Sequence, residues 1–336
     1  MEEQHIRLSS PEIGGLWSTY MQDSMTVCLL KYFLHHMQDN DIKPLLKKAL
    51  NQTCFQLKQI EEIFLKEKIP IPDGFSDKDI NLSAPPLFYD LFALTLLYSM
   101  SRMNMVNLSF ITANVAREDV RIFFTNALKF SAEQYSEATS LMLEKGIYDR
   151  PPMIPYPSNV EYIEKQTYIF KSFGGKRPLN AIELTDIFFN VERNYFAVIL
   201  CTGLLQVVKD KEITEYIKDG KQISEKQIKF INDLLMKEDL LGTVPLTMEV
   251  TKSTVSPFSD KFIVALFHSL NSIDITLIGH ALSLSLRTDL ATFYSKMIAE
   301  ILLYAERGFT IMVNRKWLEQ PPQSIDRQKL QQGHSN

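Results

Sequence analysis

The sequence repeats itself once, from near its first residue to near its last. A shift of 171 positions, which becomes 170 further along the chain, places identical residues opposite each other over this whole length. The matched pairs include Glu12 and Glu183, Ile60 and Ile231, Arg117 and Arg287, and Phe123 and Phe293. A nearly constant shift predicts a tandem duplication of one unit of about 145 residues. The fold must therefore be one that the same residue pattern can form twice.

The repeat predicts four parts of the chain. The first unit covers residues 1–150 and the second covers residues 179–322. The linker between them, residues 151–178, opens with two prolines and closes near two glycines, which interrupt regular structure. A polar tail covers residues 323–336. Four aromatic residues predict that the middle of the linker packs against a unit: Tyr162, Tyr168, Phe170 and Phe173.

Each unit has the residue pattern of an all-α structure. Glycine is scarce, at 12 in 336 residues, and apolar residues recur at the three- and four-residue spacing of helices. The capping signals Ser9-x-x-Glu12 and Asn180-x-x-Glu183 mark the start of the first helix in each copy. In the first unit we predict helices at residues 9–38, 42–66, 86–115 and 117–145.

A long segment that cannot be a regular helix separates the second and third predicted helices. Residues 69–85 contain three prolines and one glycine, and proline breaks helices. At 3.3 Å per residue the segment can span about 55 Å, enough to run the length of a bundle. We therefore predict two antiparallel hairpins joined by a long crossover, which is a four-helix bundle with ferritin-like connectivity. The alternative is a simple up-and-down bundle with one long loop.

Charge, cysteine content and hydropathy narrow the class of protein. The net charge of −4 is small and the charges are interleaved, so we expect no nucleic-acid partner. Cys28, Cys54 and Cys201 lack CxxC spacing, which predicts free thiols in a reducing compartment. The most apolar stretch, residues 91–100, falls well short of the roughly 20 residues of a membrane span. We therefore expect a soluble cytoplasmic protein with no membrane span.

The third predicted helix of each unit is apolar on nearly every side, with the sequences LFYDLFALTLLYSM and FIVALFHSL in the two copies. A helix that is apolar all round is normally buried. The sister unit or a second chain could cover it. The sequence therefore predicts a protein partner or a homo-oligomer through these helix surfaces as one alternative.

A ferritin-like bundle raises the question of a di-metal site. Such sites take a carboxylate from each of two helices and Glu-x-x-His from each of the other two, and no predicted helix contains Glu-x-x-His. Phosphate-binding loops and nucleophile motifs are also missing. We therefore predict no catalytic residue, no metal ligand and no cofactor, and interpret histidines such as His268 as satisfied core or boundary residues. Five residues of the second unit keep a degenerate metal site open: Glu192, Asp233, Asp274, His280 and Glu300.

Carboxylates that recur in both copies lie in the first turns of the predicted helices. There a negative charge stabilises the exposed N–H groups and the positive end of the helix dipole. The Arg-x-Asp motif that begins the fourth helix of each copy adds an alternative, a polar cluster at the bundle ends that binds an anion. The candidate site residues are Asp90, Arg117, Asp119, Asp260, Arg287 and Asp289.

Five segments of the second copy carry a resemblance to a known family. They are GGKRPLNAIEL (174–184), STVSPFSDK (253–261), SLRTDLATFY (285–294), IAEILLYAERG (298–308) and WLEQPPQSIDR (317–327). The chain resembles the domain of unknown function 3231 family of spore-forming Bacillus relatives, over both copies. The resemblance implies a ferritin-like helical bundle and brings the label "putative spore coat protein" for some members. It implies no activity and no catalytic residues.

Three hypotheses of function follow from these features. The first is a non-enzymatic helical protein that acts through its surface and is associated with sporulation or the spore coat. The second is a ferritin-like metal-binding or redox protein with a degenerate site. The third is a small-molecule binder with an apolar cavity between helices, where bundles commonly hold ligands.

Overall fold

The computed structural model describes residues 6–164, 168, 177–242 and 250–331, and it is all-α, as predicted. The first unit contains four long helices: α1 (Ser10–His36), α2 (Ile42–Glu67), α3 (Asp90–Thr112) and α4 (Glu118–Glu144). The second unit repeats them: α5 (Ala181–Val207), α6 (Lys211–Lys237), α7 (Asp260–Leu284) and α8 (Thr288–Asn314). A short 3-10 helix (Asp77–Asp79) and a short α9 (Arg327–Gln331) complete the described helices.

Local sequence signals set most helix ends. The Ser9 amide donates to the Glu12 carboxylate at 2.6 Å, which forms the predicted capping box at the start of α1. Gly146 follows α4 with a φ of 68°, a left-handed conformation that favours glycine. The prediction for the third helix was wrong at its start, because α3 begins at Asp90 instead of residue 86. The residues just before it form backbone contacts with the second unit.

The helices of each unit form two hairpins, as the short turns predict. In the first unit α1 pairs with α2, and α3 pairs with α4. The crossover between α2 and α3, residues 68–89, runs from the outer end of the unit, where α1 begins, to its inner end, where α1 ends. The second unit pairs α5 with α6 and α7 with α8. Likeness to ferritin in particular stays a prediction.

The two crossovers pair with each other across the middle of the molecule. Ile80 forms an isolated antiparallel bridge with Phe258, and Phe88 forms another with Val250. A shift of 170 residues converts each bridge into the other. The same surface of each unit therefore meets its own copy, which is the relation found between the subunits of a two-fold symmetric dimer.

The hydrogen bonds of this pairing repeat in the same way. The Asn81 amide donates to the Pro257 carbonyl at 2.8 Å, and the Thr251 amide donates to the Leu87 carbonyl at 2.9 Å. These two bonds are also related by 170 residues. The duplication has thus produced a single chain with an internal pseudo-two-fold axis through the crossovers.

An aromatic core lies beside the crossover pairing and is shared by both units. Phe88 stacks on Phe92 with ring centroids 4.1 Å apart, and Phe92 stacks on Phe196 of the second unit at 5.2 Å. Phe258 stacks on Phe262 at 4.8 Å, at the positions that correspond to Phe88 and Phe92. Each unit also has a smaller core of its own. The continuous central core indicates that the two units fold as one body.

The apolar third helices pack against the sister unit. α3 contacts α5, and α7 contacts α1. α7 is also the one helix in the described part of the chain that is long and apolar enough to cross a membrane, but a core helix has the same length and composition. Cover by the sister unit, one of the two predicted alternatives, is therefore what the structure shows, while a second chain on these surfaces stays a prediction.

The prediction that the middle of the linker packs against a unit was wrong for Tyr162, which is 85% exposed. Tyr168 lies under the guanidinium of Arg177 at 4.1 Å, which is a contact within the linker itself. Phe170 and Phe173 lie outside the described residues.

The close contact between α5 and the first crossover gives a test of the shared core. A Cβ atom on Gly203 would lie 2.6 Å from two ring atoms of Phe88, so Gly203→Ala must displace the ring. We expect it to lower the free energy of unfolding by about 1–3 kcal/mol, measured by urea denaturation. Gly279 of α7 is the control, because a Cβ atom added there would have no neighbouring atom within 4 Å. Gly279→Ala should raise stability by about 0.5–1 kcal/mol, and equal effects of both changes would contradict the packing described.

Candidate functional site

At the outer end of the first unit, Arg117 and Asp119 form an ion pair within a larger cluster. Arg117 donates from Nε to Asp119 at 2.7 Å and from Nη1 to Glu67 at 2.6 Å. The Glu12 carboxylate accepts from the backbone amides of Ala116 and Arg117 at 3.1 and 2.7 Å. Burial alone would raise the pKa of Glu12, but its backbone hydrogen bonds outweigh burial and lower that pKa to about 2.

The second unit contains the same cluster at its outer end. Arg287 donates from Nη1 to Glu238 at 2.6 Å and from Nη2 to Asp289 at 2.9 Å. Glu183 accepts from the Leu286 amide at 3.2 Å and from the Arg177 guanidinium at 2.7 Å. In each unit the cluster therefore joins the start of the first helix to the end of the second helix and to the turn between the third and fourth helices.

The structure does not bring all six predicted site residues together. Asp90 lies at the inner end of its unit, where its carboxylate accepts from the Gln38 and Asp39 amides at 3.0 and 2.7 Å. Asp260 occupies the same place in the second unit, where burial and the nearby Asp210 raise its pKa. At the outer ends, each arginine already faces two carboxylates, which disfavours a further anion there.

The predicted metal candidates of the second unit also lie apart. Within the described residues, no group of three or more His, Cys, Asp or Glu side chains is placed to hold a metal ion. Each candidate contacts a different partner: Glu192 with Arg102, Asp233 with Lys229, Asp274 with Arg193, His280 with Asp186, and Glu300 with Lys226. The carboxylates are therefore used in separate ion pairs and do not converge on one point.

A cavity of about 320 Å³ lies between the two units, and we call it the inter-unit cavity. α1 and α3 of the first unit and α5 and α7 of the second form its walls, and Phe88 and Phe258 of the two crossovers close its inner end. Four methionines contribute much of the lining: Met21, Met25, Met100 and Met103. Methionine side chains adapt to irregular apolar surfaces, so the cavity suits an apolar molecule.

Polar groups of the inter-unit cavity lie mainly toward its outer end. The Gln22 amide nitrogen donates to Asn104 at 3.0 Å, and Asn107 donates to the Gln22 carbonyl oxygen at 3.3 Å. Ser272 and Thr276 of α7 are exposed and mark the mouth. The described residues that line this cavity include no Asp, Glu, Lys or Arg. Any charge on a bound molecule would therefore have no ionic partner in the wall.

His268 lines the same cavity and corrects an expectation from the sequence. Its Nδ1 atom is buried and has no hydrogen-bond partner among the described residues, whereas we expected a satisfied histidine. Burial lowers the pKa of the imidazole, so the ring is neutral at neutral pH. The helical pattern could not reveal this, because the position of the ring depends on how α7 meets the other unit.

A second cavity of about 300 Å³ lies between α3, α4 and α5, and we call it the charged cavity. Arg102 donates from Nη1 to Glu192 at 2.6 Å and to the Tyr98 hydroxyl at 2.8 Å. The guanidinium also lies 3.5 Å from the Phe189 ring centroid. Burial raises the pKa of Glu192, and Arg102 opposes this rise. One signal in the sequence could have indicated this site, since Arg102 and Asp90 are the two charged residues of α3.

The duplication relates the two cavities to each other. Shifts of 170 and 171 residues carry Tyr98, Arg102 and Glu192 of the charged cavity onto three residues that line the inter-unit cavity, which are His268, Ser272 and Met21. In one cavity these positions form an ion pair with a tyrosine hydroxyl. In the other they carry no charged side chain at neutral pH and leave the imidazole Nδ1 without a partner. The two copies have therefore diverged at equivalent positions.

A buried carboxyl in α1 shows a similar divergence. Asp23 is 7% exposed, and its Oδ2 atom has no hydrogen-bond partner among the described residues. Burial raises the pKa of Asp23 to about 8, so the side chain is protonated at neutral pH. The corresponding residue of the second unit is Asn194, a neutral side chain of the same shape. Both copies thus place an uncharged group at this position.

The buried arginine of the outer cluster gives a test of its structural role. The Arg287 side chain is 4% exposed and faces two carboxylates, so Arg287→Met removes a buried positive charge that pairs with both. We expect a loss of about 3–5 kcal/mol in the free energy of unfolding. Arg307→Met is the control, because the Arg307–Asp219 pair is exposed at 42% on both sides and should cost less than about 1 kcal/mol. Similar losses in urea denaturation would show that the cluster does not stabilise the fold.

Asp23→Asn should change how stability depends on pH. The folded pKa of about 8 lies above the unfolded value, so the folded state holds more protons between about pH 4 and 8. The contribution of Asp23 is complete below pH 4 and is lost as pH rises through 8. The variant, which has no such proton, should gain about 4 kcal/mol over the wild type between pH 5 and pH 9. Parallel curves of unfolding free energy against pH for the two proteins would refute this assignment.

Comparison with known proteins places this architecture in a family. The model of the family described as "Protein of unknown function (DUF3231)" matches residues 1–160 and again residues 167–330. The chain is 24% identical over 147 residues to the uncharacterized protein YvdQ of Bacillus subtilis (strain 168), covering 42% of this chain and 86% of that protein. A crystal structure of a putative spore coat protein from Bacillus halodurans C-125 is 20% identical, with a TM-score of 0.40, covering 45% of this chain and 98% of the other. The chain belongs to the DUF3231 family and carries the family unit twice.

Proposed function

We propose that this protein is a non-catalytic binding protein that takes up a small apolar molecule in the inter-unit cavity. The observation that carries the proposal is the cavity itself, whose volume is about 320 Å³ and whose wall is mostly apolar. An apolar cavity of about 150 Å³ is enough to bind benzene, and small-molecule pockets commonly begin near 300 Å³. The cavity therefore has the size and lining of a ligand site.

The position of the cavity supports the same proposal. Ligand sites occur preferentially at the interfaces between domains, and this cavity takes its walls from both units. Methionine side chains there can adjust to the shape of a ligand. The third helices, which are apolar on nearly every side, thus contribute both to the contact between the units and to the binding surface.

The chemistry of the described residues supports a role without catalysis. Burial raises the pKa of the Cys28 and Cys201 thiols to about 12, and a protonated thiol is a poor nucleophile. His268 has no carboxylate among the described residues that line its cavity, so the inter-unit cavity contains no imidazole–carboxylate pair for acid–base catalysis. A metal-dependent function has less support, because the acidic candidates each contact a different partner.

Binding can be tested with N-phenyl-1-naphthylamine, an uncharged dye whose fluorescence rises in apolar surroundings. We expect saturable binding of one dye per chain. Ser269 lines the inter-unit cavity, so Ser269→Phe fills part of it and should weaken binding at least about tenfold, which is about 1.4 kcal/mol. Ser283→Phe makes the same change at an exposed position of the same helix and should leave binding unaltered. Equal dye binding by all three proteins, or none by the wild type, would reject the proposal.

We also propose an association with the spore, with the protein in the cytoplasm before the spore forms. Its support is family membership, since the family occurs in spore-forming Bacillus relatives and includes members labelled as putative spore coat proteins. Immunodetection in vegetative cells, sporulating cells and purified spores tests the proposal. We expect the protein to accumulate during sporulation and to be retained in washed spores. Accumulation during vegetative growth, with none in spores, would exclude this role and leave the binding proposal intact.

A further inference from the structure

We infer that the molecule taken up by the inter-unit cavity is an unbranched, uncharged amphiphile with one hydrogen-bonding head group. This inference rests on the proposed function, because it assigns a chemical class to the ligand of the same cavity. The chain of the ligand lies toward the crossovers, and its head lies by Asn104 and Asn107. Four features of the cavity carry the inference, which are its length, its polarity along that length, its lack of charge and its unused hydrogen-bonding groups.

The cavity is long and narrow. Lining residues of α1 run from Ser18 to Phe33, which corresponds to roughly 22 Å at 1.5 Å per residue. Those of α3 run from Phe92 to Asn107 over a similar length. A volume of about 320 Å³ spread along this path suits an extended chain.

Polarity changes from one end of the cavity to the other. Leu29, Phe33, Phe88 and Leu266 line the inner end and are all buried. The outer end has the Gln22, Asn104 and Asn107 amides and the exposed Thr276. An apolar chain is stabilised at the inner end by leaving water, whereas a polar head keeps its hydrogen bonds at the outer end. The ligand therefore has one preferred orientation.

A groove at the outer end of the inter-unit cavity gives this end a route to solvent. It is lined by Pro11, Gly14, Phe110 and other residues of α1, α3 and α7, and it shares Asn107 and Thr276 with the inter-unit cavity. A Cβ atom added to Gly14 would have no neighbouring atom within 4 Å, so the groove is open there. A chain can enter through this groove with its apolar end first.

Charge selects against an ionised head group. The described lining includes no Asp, Glu, Lys or Arg, and an unpaired charge moved from water into such a site is strongly disfavoured. In the charged cavity Arg102 could neutralise a carboxylate, but Glu192 and the Tyr98 hydroxyl already engage it. The head group that fits the inter-unit cavity is therefore neutral.

Unused hydrogen-bonding groups define what the neutral head must offer. Asn104 and Asn107 of α3 line the outer end of the inter-unit cavity. The Gln22 amide engages the carbonyl oxygen of Asn104 and the amide nitrogen of Asn107, so the other atom of each side-chain amide takes no part in these two bonds. The Asn104 amide nitrogen is a donor and the Asn107 carbonyl oxygen is an acceptor. This combination suits a hydroxyl or a primary amide, each of which can both donate and accept.

The test measures displacement of N-phenyl-1-naphthylamine from the full chain at pH 8 by three molecules of equal chain length. We expect 1-decanol and decanamide to displace the dye with dissociation constants at least about tenfold lower than decanoate, whose carboxylate is ionised. Asn104→Leu should weaken 1-decanol by about three- to tenfold and leave the affinity for the dye within about twofold. Unchanged dye affinity also shows that the variant is folded.

Two further variants complete the experiment. Asn107→Leu removes the second amide of the head region and should act in the same direction as Asn104→Leu. Tyr98→Phe is the control, because it removes a hydrogen-bonding group from the charged cavity, and it should leave 1-decanol binding unaltered. Equal or tighter binding of decanoate overturns the neutral head group, and a normal affinity of both head-region variants for 1-decanol overturns its placement. In both cases dye binding persists and the proposed function stands, whereas a wild type that binds no dye overturns the proposed function as well.

Discussion

Backbone hydrogen bonds between the two crossovers determine how the units of this protein meet. The crossovers are rich in proline and cannot form helices, so their polar backbone groups need partners elsewhere. Part of that need is met across the pseudo-two-fold axis, where Asn81 donates to Pro257 and Thr251 donates to Leu87. The same pairing fixes Phe88 and Phe258 at the inner end of the inter-unit cavity. The shared core and the cavity therefore both depend on two short stretches of extended chain.

Much of this fold is encoded locally, and could be predicted for that reason. Helix starts depend on nearby residues such as Ser9 and Glu12, and the end of α4 depends on Gly146. The crossover was predicted from its prolines, but its pairing was not, because the partner lies about 170 residues away and short extended segments carry little pattern. The error at the start of α3 has the same origin, since Leu87 and Phe88 are held by the other crossover.

Less of the candidate site could be predicted from the sequence. Arg117 and Asp119 are two residues apart, so their contact is local, and the structure brings them together. Asp90 and Asp260 also lie at helix starts. They are nevertheless at the inner ends of the units, away from the outer clusters, because successive helices run in opposite directions. His268 and Arg102 gained their importance from packing between the units. Two sequence signals could have drawn attention to them: the isolated charge of Arg102 in α3, and the comparison of positions 98 and 268 in the aligned copies.

The covalent linkage between the two units has a consequence for how the cavities can evolve. If two separate copies of one unit met in this way, symmetry would make the two cavities identical, and every substitution would alter both at once. Here one gene encodes both halves, so a substitution alters one cavity and leaves its counterpart as it was. In the charged cavity Arg102 and Glu192 form an ion pair. The equivalent positions of the inter-unit cavity, Ser272 and Met21, have no ion pair to maintain. Joining the units in one chain thus allows a division of labour that a symmetric pair could not achieve.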